Sequence, residues 1–79
     1  MSEQKATTTI KEAMDLTGEA MLKFFSYEHL PPALQVVSRP FGDLAIHLCH
    51  TLERSPERTV ALRKLLESKD AAVRASLPA

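Results

Sequence analysis

Apolar residues recur along this chain at intervals of three and four, the signature of helices with one buried face. Ile10, Ala13, Met14, Thr17, Met21 and Phe24 predict a first helix starting at Ile10, which Gly18 weakens by about 1 kcal/mol relative to alanine. Pro31 and Pro32 stop it, because the residue before a proline is driven out of helical space, and Pro32 suits the opening position of the next helix. Residues 25–32 are therefore expected to form a stiff, partly extended hinge carrying Tyr27, Glu28 and His29. Residues 1–9 are polar and threonine-rich, which predicts a flexible lead, either a mobile end or a helix lead-in.

A second helix is expected from about Pro32 to Glu53, with Leu34, Val37, Phe41, Leu44, Ala45, Leu48 and Leu52 on one stripe. Pro40 removes a backbone donor within it and predicts a bend, or a short turn followed by the main rod. Ser55-Pro56-Glu57 is the clearest local signal: a capping hydroxyl, a proline suited to the first helical position, and a carboxylate at the positive helix start. The third helix that begins there carries Val60, Leu62, Leu65, Leu66, Ala72, Val73 and Leu77, and its short link forces it to run antiparallel to the second. The fold class is thus all-α, an N-terminal helix followed by a long antiparallel hairpin, in one domain over residues 10–79. Each rod is roughly 30 Å long.

With 79 residues, the chain buries only roughly 60% of its unfolded surface, so its own core is marginal. A single cysteine makes no internal disulfide, and no zinc-finger spacing of Cys and His is present, so assembly into a homo-oligomer is the expected source of further burial. Ten basic and ten acidic side chains balance, which argues against duplex nucleic acid as a partner. With no apolar run long enough to cross a bilayer and no start resembling a secretion signal, the expectation is a cytoplasmic protein.

An enzyme is not expected. His47 and His50 share one helix at metal-compatible spacing but lack an evident third ligand, and Cys49 has no facing base and suits a small core position. Gly18 and Gly42, the only glycines, do not make a phosphate-cradling loop. No metal or cofactor is called for. Binding fits better. Tyr27 beside Phe25 can present a ring to a nucleobase, or both rings can simply pack the hinge onto the hairpin. On the third helix Arg63, Lys64, Lys69 and Arg74 form a basic run, with Arg63 and Arg74 eleven residues apart on one stripe. Such a run is ordinarily a solvated face, but guanidinium forks suit phosphodiester oxygens. Thr59 adds a hydroxyl, and Arg39 at the expected bend is a second phosphate candidate.

Several of these residues stand in a specific order: Phe25-x-Tyr27, a proline-bearing turn, Gln35, Leu44-Ala45, Glu57-x-Thr59-x-Ala61-Leu62-x-Lys64-Leu65-x-Glu67, then Ala71-Ala72. In this order the chain resembles the helical-hairpin family of phage proteins that sequester cyclic oligonucleotide signals, which contains the anti-CBASS sponge and the hairpin part of an anti-Thoeris sponge. The likeness spans residues 25–75. It departs from the common form after Glu67, where Lys69-Asp70-Ala71-Ala72-Val73-Arg74 replaces an aromatic-and-asparagine run.

The resemblance implies a non-catalytic sponge, hexameric in the family, that binds cyclic dinucleotides between protomers and leaves cyclic trinucleotides open as a second ligand class in separate pockets. It implies that Tyr27 stacks on a ligand base, with Arg39, Thr59, Arg63, Lys64 and Arg74 as the polar candidates around it. Sequestration would starve the nucleotide-activated effector of a bacterial antiphage system, in the host cytoplasm if the chain is phage-encoded. The alternative is a small helical interaction or assembly module without a nucleotide ligand.

Overall fold

The computed structural model describes residues 9–78, so the expected flexible lead lies almost wholly outside the described residues. Its last residue, Thr9, is the N-cap of helix α1 (Ile10–Thr17) and so leads into that helix. Thr9 Oγ1 accepts from the Glu12 amide at 3.1 Å and the Thr9 amide donates to Glu12 Oε1 at 3.0 Å, a reciprocal capping box that satisfies the first orphan donors.

The long first helix expected from periodicity is two pieces. Gly18 takes φ +69, a left-handed conformation open to glycine at little cost, and its amide closes α1 on the Met14 carbonyl at 2.8 Å. Gly18 therefore ends the helix instead of weakening it. The chain resumes as a 3-10 helix over Ala20–Phe25, capped by the Glu19 carboxylate, and this tighter winding carries Leu22 and Phe25 into full burial.

The partly extended stretch between Phe25 and Pro32 holds a hydrogen-bonded turn at its centre, where the Leu30 amide donates to the Tyr27 carbonyl at 3.0 Å. Ser26 before the turn, with ψ 139, and Pro31 after it, with ψ 151, are extended, and α2 (Pro32–Thr51) then begins. Helix α2 runs unbroken through Pro40. The missing donor leaves the Val36 carbonyl without its usual partner, at a residue 75% exposed where water can serve. Helix α3 (Pro56–Ala75) starts as expected, with Ser55 Oγ accepting from the Arg58 amide at 3.1 Å.

Helices α2 and α3 form the hairpin. Arg58 at the start of α3 meets Cys49 and Leu52 at the end of α2, while Ser38 near the start of α2 and Val73 near the end of α3 line one groove, so the rods are antiparallel. The leading segment lies mainly across α2, giving extents of 39 × 35 × 16 Å, the least of them about two helix layers deep. The core is Ile10, Ala13, Leu22, Phe25, Ala45, Ile46, Cys49 and Leu62. On α2 the buried stripe is Ser38, Gly42, Ala45, Ile46 and Cys49, rotated from the expected leucine-rich one; Leu44 and Leu52 are exposed. Small residues there let the 3-10 helix come close, and the larger side chains flank that line. Every element among the described residues is helical, and no helix among them is long and apolar enough to cross a membrane.

Candidate functional site

Tyr27 sits on a turn that the rest of the chain holds in shape. The Gln35 side-chain amide donates to the Leu30 carbonyl at 2.7 Å and to the Glu28 carbonyl at 3.3 Å, tying the turn to the first helical residues of α2. Gly42 lies directly beneath. A Cβ at that position would stand 3.1 Å from the Phe25 carbonyl oxygen and 3.5 Å from Cδ2 and Cε2 of the Tyr27 ring. The ring thus rests on bare helix backbone and remains partly exposed, whereas Phe25 is fully buried and is a packing residue.

The other expected ligand residues are spread over the hairpin. Arg39 is paired loosely with Asp43 at 3.9 Å and Lys64 with Glu67 at 3.8 Å. Each pair is exposed and is worth at most about 1 kcal/mol, so its charge is available to a stronger partner. Thr59 Oγ1 donates to the Ser55 carbonyl at 3.3 Å, which leaves its lone pairs free to accept. Arg63 and Arg74 are exposed on α3. Arg74 is the single member of this set that lines the groove which the chain itself forms beside the turn.

That groove, about 430 Å³, lies where the 3-10 helix and the turn meet the far end of the hairpin. Lys23 and Phe24 stand on one side and Lys69, Asp70, Val73 and Arg74 on the other, with Ser26, His29 and Leu30 from the turn and Ser38 at the floor. Lys69 is the best-fixed cation: its side chain is 12% exposed, and Nζ donates to the Phe24 carbonyl at 2.6 Å while lying 3.7 Å from Asp70 Oδ1. Lys23 Nζ lies 5.1 Å from the centroid of the Phe24 ring. Ser38 is fully buried and its Oγ has no hydrogen-bond partner.

Sequence reasoning named Lys69 only as part of a basic run and Phe24 only as an apolar position of the first helix, and gave Lys23 and Ser38 no role. The usable signal was Ser38, a polar residue in register with Gly42 and Ala45 on the inward face of α2. Arg58 was missed too. It is 3% exposed, donates from Nη1 to the Cys49 and Leu52 carbonyls at 3.2 and 2.9 Å and from Nη2 to Glu19 Oε1 at 2.9 Å, and its Nε lacks a partner. Its contacts are a helix C-cap and an interelement ion pair, so it builds the scaffold. Burial pushes the Cys49 thiol above its ordinary value, against the pull of the Arg58 guanidinium, which suits a core residue and not a nucleophile. His47 and His50 are exposed, and the described residues hold no cluster of three or more His, Cys, Asp or Glu side chains arranged to take a metal ion. The chain matches no protein-family model, no curated protein and no solved structure.

Proposed function

We propose that this chain is a non-catalytic sponge for cyclic oligonucleotide immune signals, binding cyclic dinucleotides, with cyclic trinucleotides left open as a second class, and so countering CBASS antiphage defence. The observation that carries this reading is the Tyr27 turn. Tyr27 and Gln35, two of the residues on which the family resemblance rests, belong to one built unit: Gln35 holds the turn and Gly42 seats the ring. A ring supported from below and partly open to solvent is suited to stack on a base, which is worth roughly 1 to 3 kcal/mol.

Assembly belongs to the same proposal. Val36 and Leu44 of α2, Leu52 at its C-cap and Val60 of α3 remain exposed on the hairpin, and assembly with further copies, into a hexamer by resemblance, would cover them and bring basic residues of neighbouring protomers around each Tyr27. Arg39, Arg63, Lys64, Arg74 and the Thr59 hydroxyl then serve the phosphates. The second reading, a plain interaction module, draws on the same exposed apolar residues.

Calorimetric titration with a panel of cyclic dinucleotides and trinucleotides, with light scattering to fix the oligomeric state, tests the proposal. Tyr27→Ala should weaken binding about ten- to hundred-fold with little dependence on salt, whereas loss of the basic groups should matter less as salt rises. Ligand recovered after denaturation should be chemically intact. Tyr27→Ala binding as tightly as the parent in an intact oligomer would favour the interaction module.

A further inference from the structure

The groove at the far end of the hairpin is built from a single chain and shares only Arg74 with the residues assigned to the sponge. We infer that it binds a nucleotide unit, with the phosphate on Lys69 and Arg74 and the base against Phe24. This inference does not rest on the sponge reading, because the groove exists without any oligomer.

Charge is the first argument. A chain with ten basic and ten acidic residues places Lys23, Lys69 and Arg74 around one small concavity with a single carboxylate, Asp70. Lys69 is preorganised: the bond to the Phe24 carbonyl uses one of its three N–H donors and holds the ammonium in place, leaving the others for an anion. Arg74, exposed on the next turn of α3, supplies a planar fork suited to phosphate oxygens. The second argument is aromatic. Phe24 is 50% exposed although its neighbour Phe25 is fully buried, so the 3-10 helix turns one ring into the core and the other toward the groove.

Ser38 gives the third argument. A fully buried hydroxyl with no partner opposes folding; Ser38 is among the residues lining the groove, and a slight opening of the groove on binding gives that hydroxyl an anion to donate to. Size supplies the last. At about 430 Å³ the groove falls in the lower part of the range of small-molecule sites, room for one nucleotide and not for a cyclic dinucleotide entire. The occupant is therefore either a free mononucleotide or one unit of a larger cyclic ligand whose remainder lies outside.

The full chain would be titrated at low salt with AMP, GMP, inorganic phosphate and cyclic di-GMP. AMP or GMP should bind at least about tenfold more tightly than inorganic phosphate, since stacking on Phe24 adds to the charge contacts. Phe24→Ala and Lys69→Gln should each weaken the nucleotide by at least about tenfold. Because Lys69 also ties the leading segment to α3, Lys23→Gln provides a second variant at an exposed position, expected to weaken binding several-fold with an unaltered Tm. Ser38→Ala should raise Tm while lowering affinity, a pairing that a purely structural serine does not produce. Competition of cyclic di-GMP with AMP would identify the occupant as a unit of the cyclic ligand, and AMP binding without competition a free mononucleotide; either supports the site. Inorganic phosphate binding as tightly as AMP, or nucleotide affinity unmoved by Lys23→Gln and Ser38→Ala, would overturn it. The two readings fail separately, since Tyr27→Ala tests the sponge and Lys23→Gln the groove.

Discussion

Arg58 and Glu19, 39 positions apart in the chain, meet at 2.9 Å with their side chains 3% and 14% exposed. One guanidinium thereby joins the leading segment, the end of α2 and the start of α3. Removing a single partner from a buried pair strands the other charge, and Arg58→Met should cost about 3–5 kcal/mol. The double variant Arg58→Met with Glu19→Leu should regain part of that loss. Urea unfolding of parent, single and double variants provides the cycle, and an Arg58→Met protein as stable as the parent would mean that Glu19 is readily solvated.

Gly42 is the seat of the Tyr27 ring. Alanine there gains helix propensity but brings a Cβ to 3.1 Å from the Phe25 carbonyl, backbone that has little room to yield. Valine has no such compensation, and Gly42→Val should destabilise by about 1–3 kcal/mol through overpacking. Tyr27 is the sole tyrosine and tryptophan is absent, so intrinsic fluorescence reports the ring directly. Its emission intensity should approach that of the unfolded chain in Gly42→Val while far-ultraviolet dichroism holds.

Gly18 at φ +69 carries the stop of α1. Gly18→Ala should lose roughly 1–2 kcal/mol, because a Cβ is strained in that conformation whatever the surrounding space. Thermal unfolding measures it. An unchanged Tm would show that α1 can end without the left-handed residue.

Cys49 makes stability fall at alkaline pH. Burial raises the thiol of the folded protein above its ordinary value of 9.0, so the unfolded chain releases its proton first as pH rises. The contribution is complete below pH 9 and is lost as pH climbs through the raised value. Other groups titrate in that range, so the informative quantity is the difference in stability between parent and Cys49→Ala, which should shrink from neutral pH to about pH 10. Thiol reagents should modify the native protein far more slowly than the urea-unfolded one.

Local chemistry was legible in the sequence and long-range chemistry was not. Ser55-Pro56 announced α3 because a cap and a first-turn proline act on adjacent residues. Gly18 was visible as a weak point, but helix cost and helix stop look alike until φ is known. Arg58 on a helix surface resembles any solvated charge, since its partners Glu19 and Cys49 are brought near only by the folded hairpin. The burial stripe of α2 was misplaced for a related reason: hydrophobicity weighs Leu44 above Gly42, whereas close approach selects the smaller residue. Of the groove, Lys69 was legible as one charge in a run, but its closeness to Lys23, Phe24 and Ser38 depends on the 3-10 winding, which periodicity does not report.

The line of Ser38, Gly42, Ala45 and Cys49 along α2 reverses the ordinary map of mutational tolerance. In most helices the leucines are the positions to leave alone and the small residues the safe places for a label, a tag or a bulky probe. Here a spectroscopic probe at Leu44 or Leu52, both more than 40% exposed, should leave the chain folded. The same probe one step round the helix would lift the 3-10 segment and the Tyr27 turn from their bed.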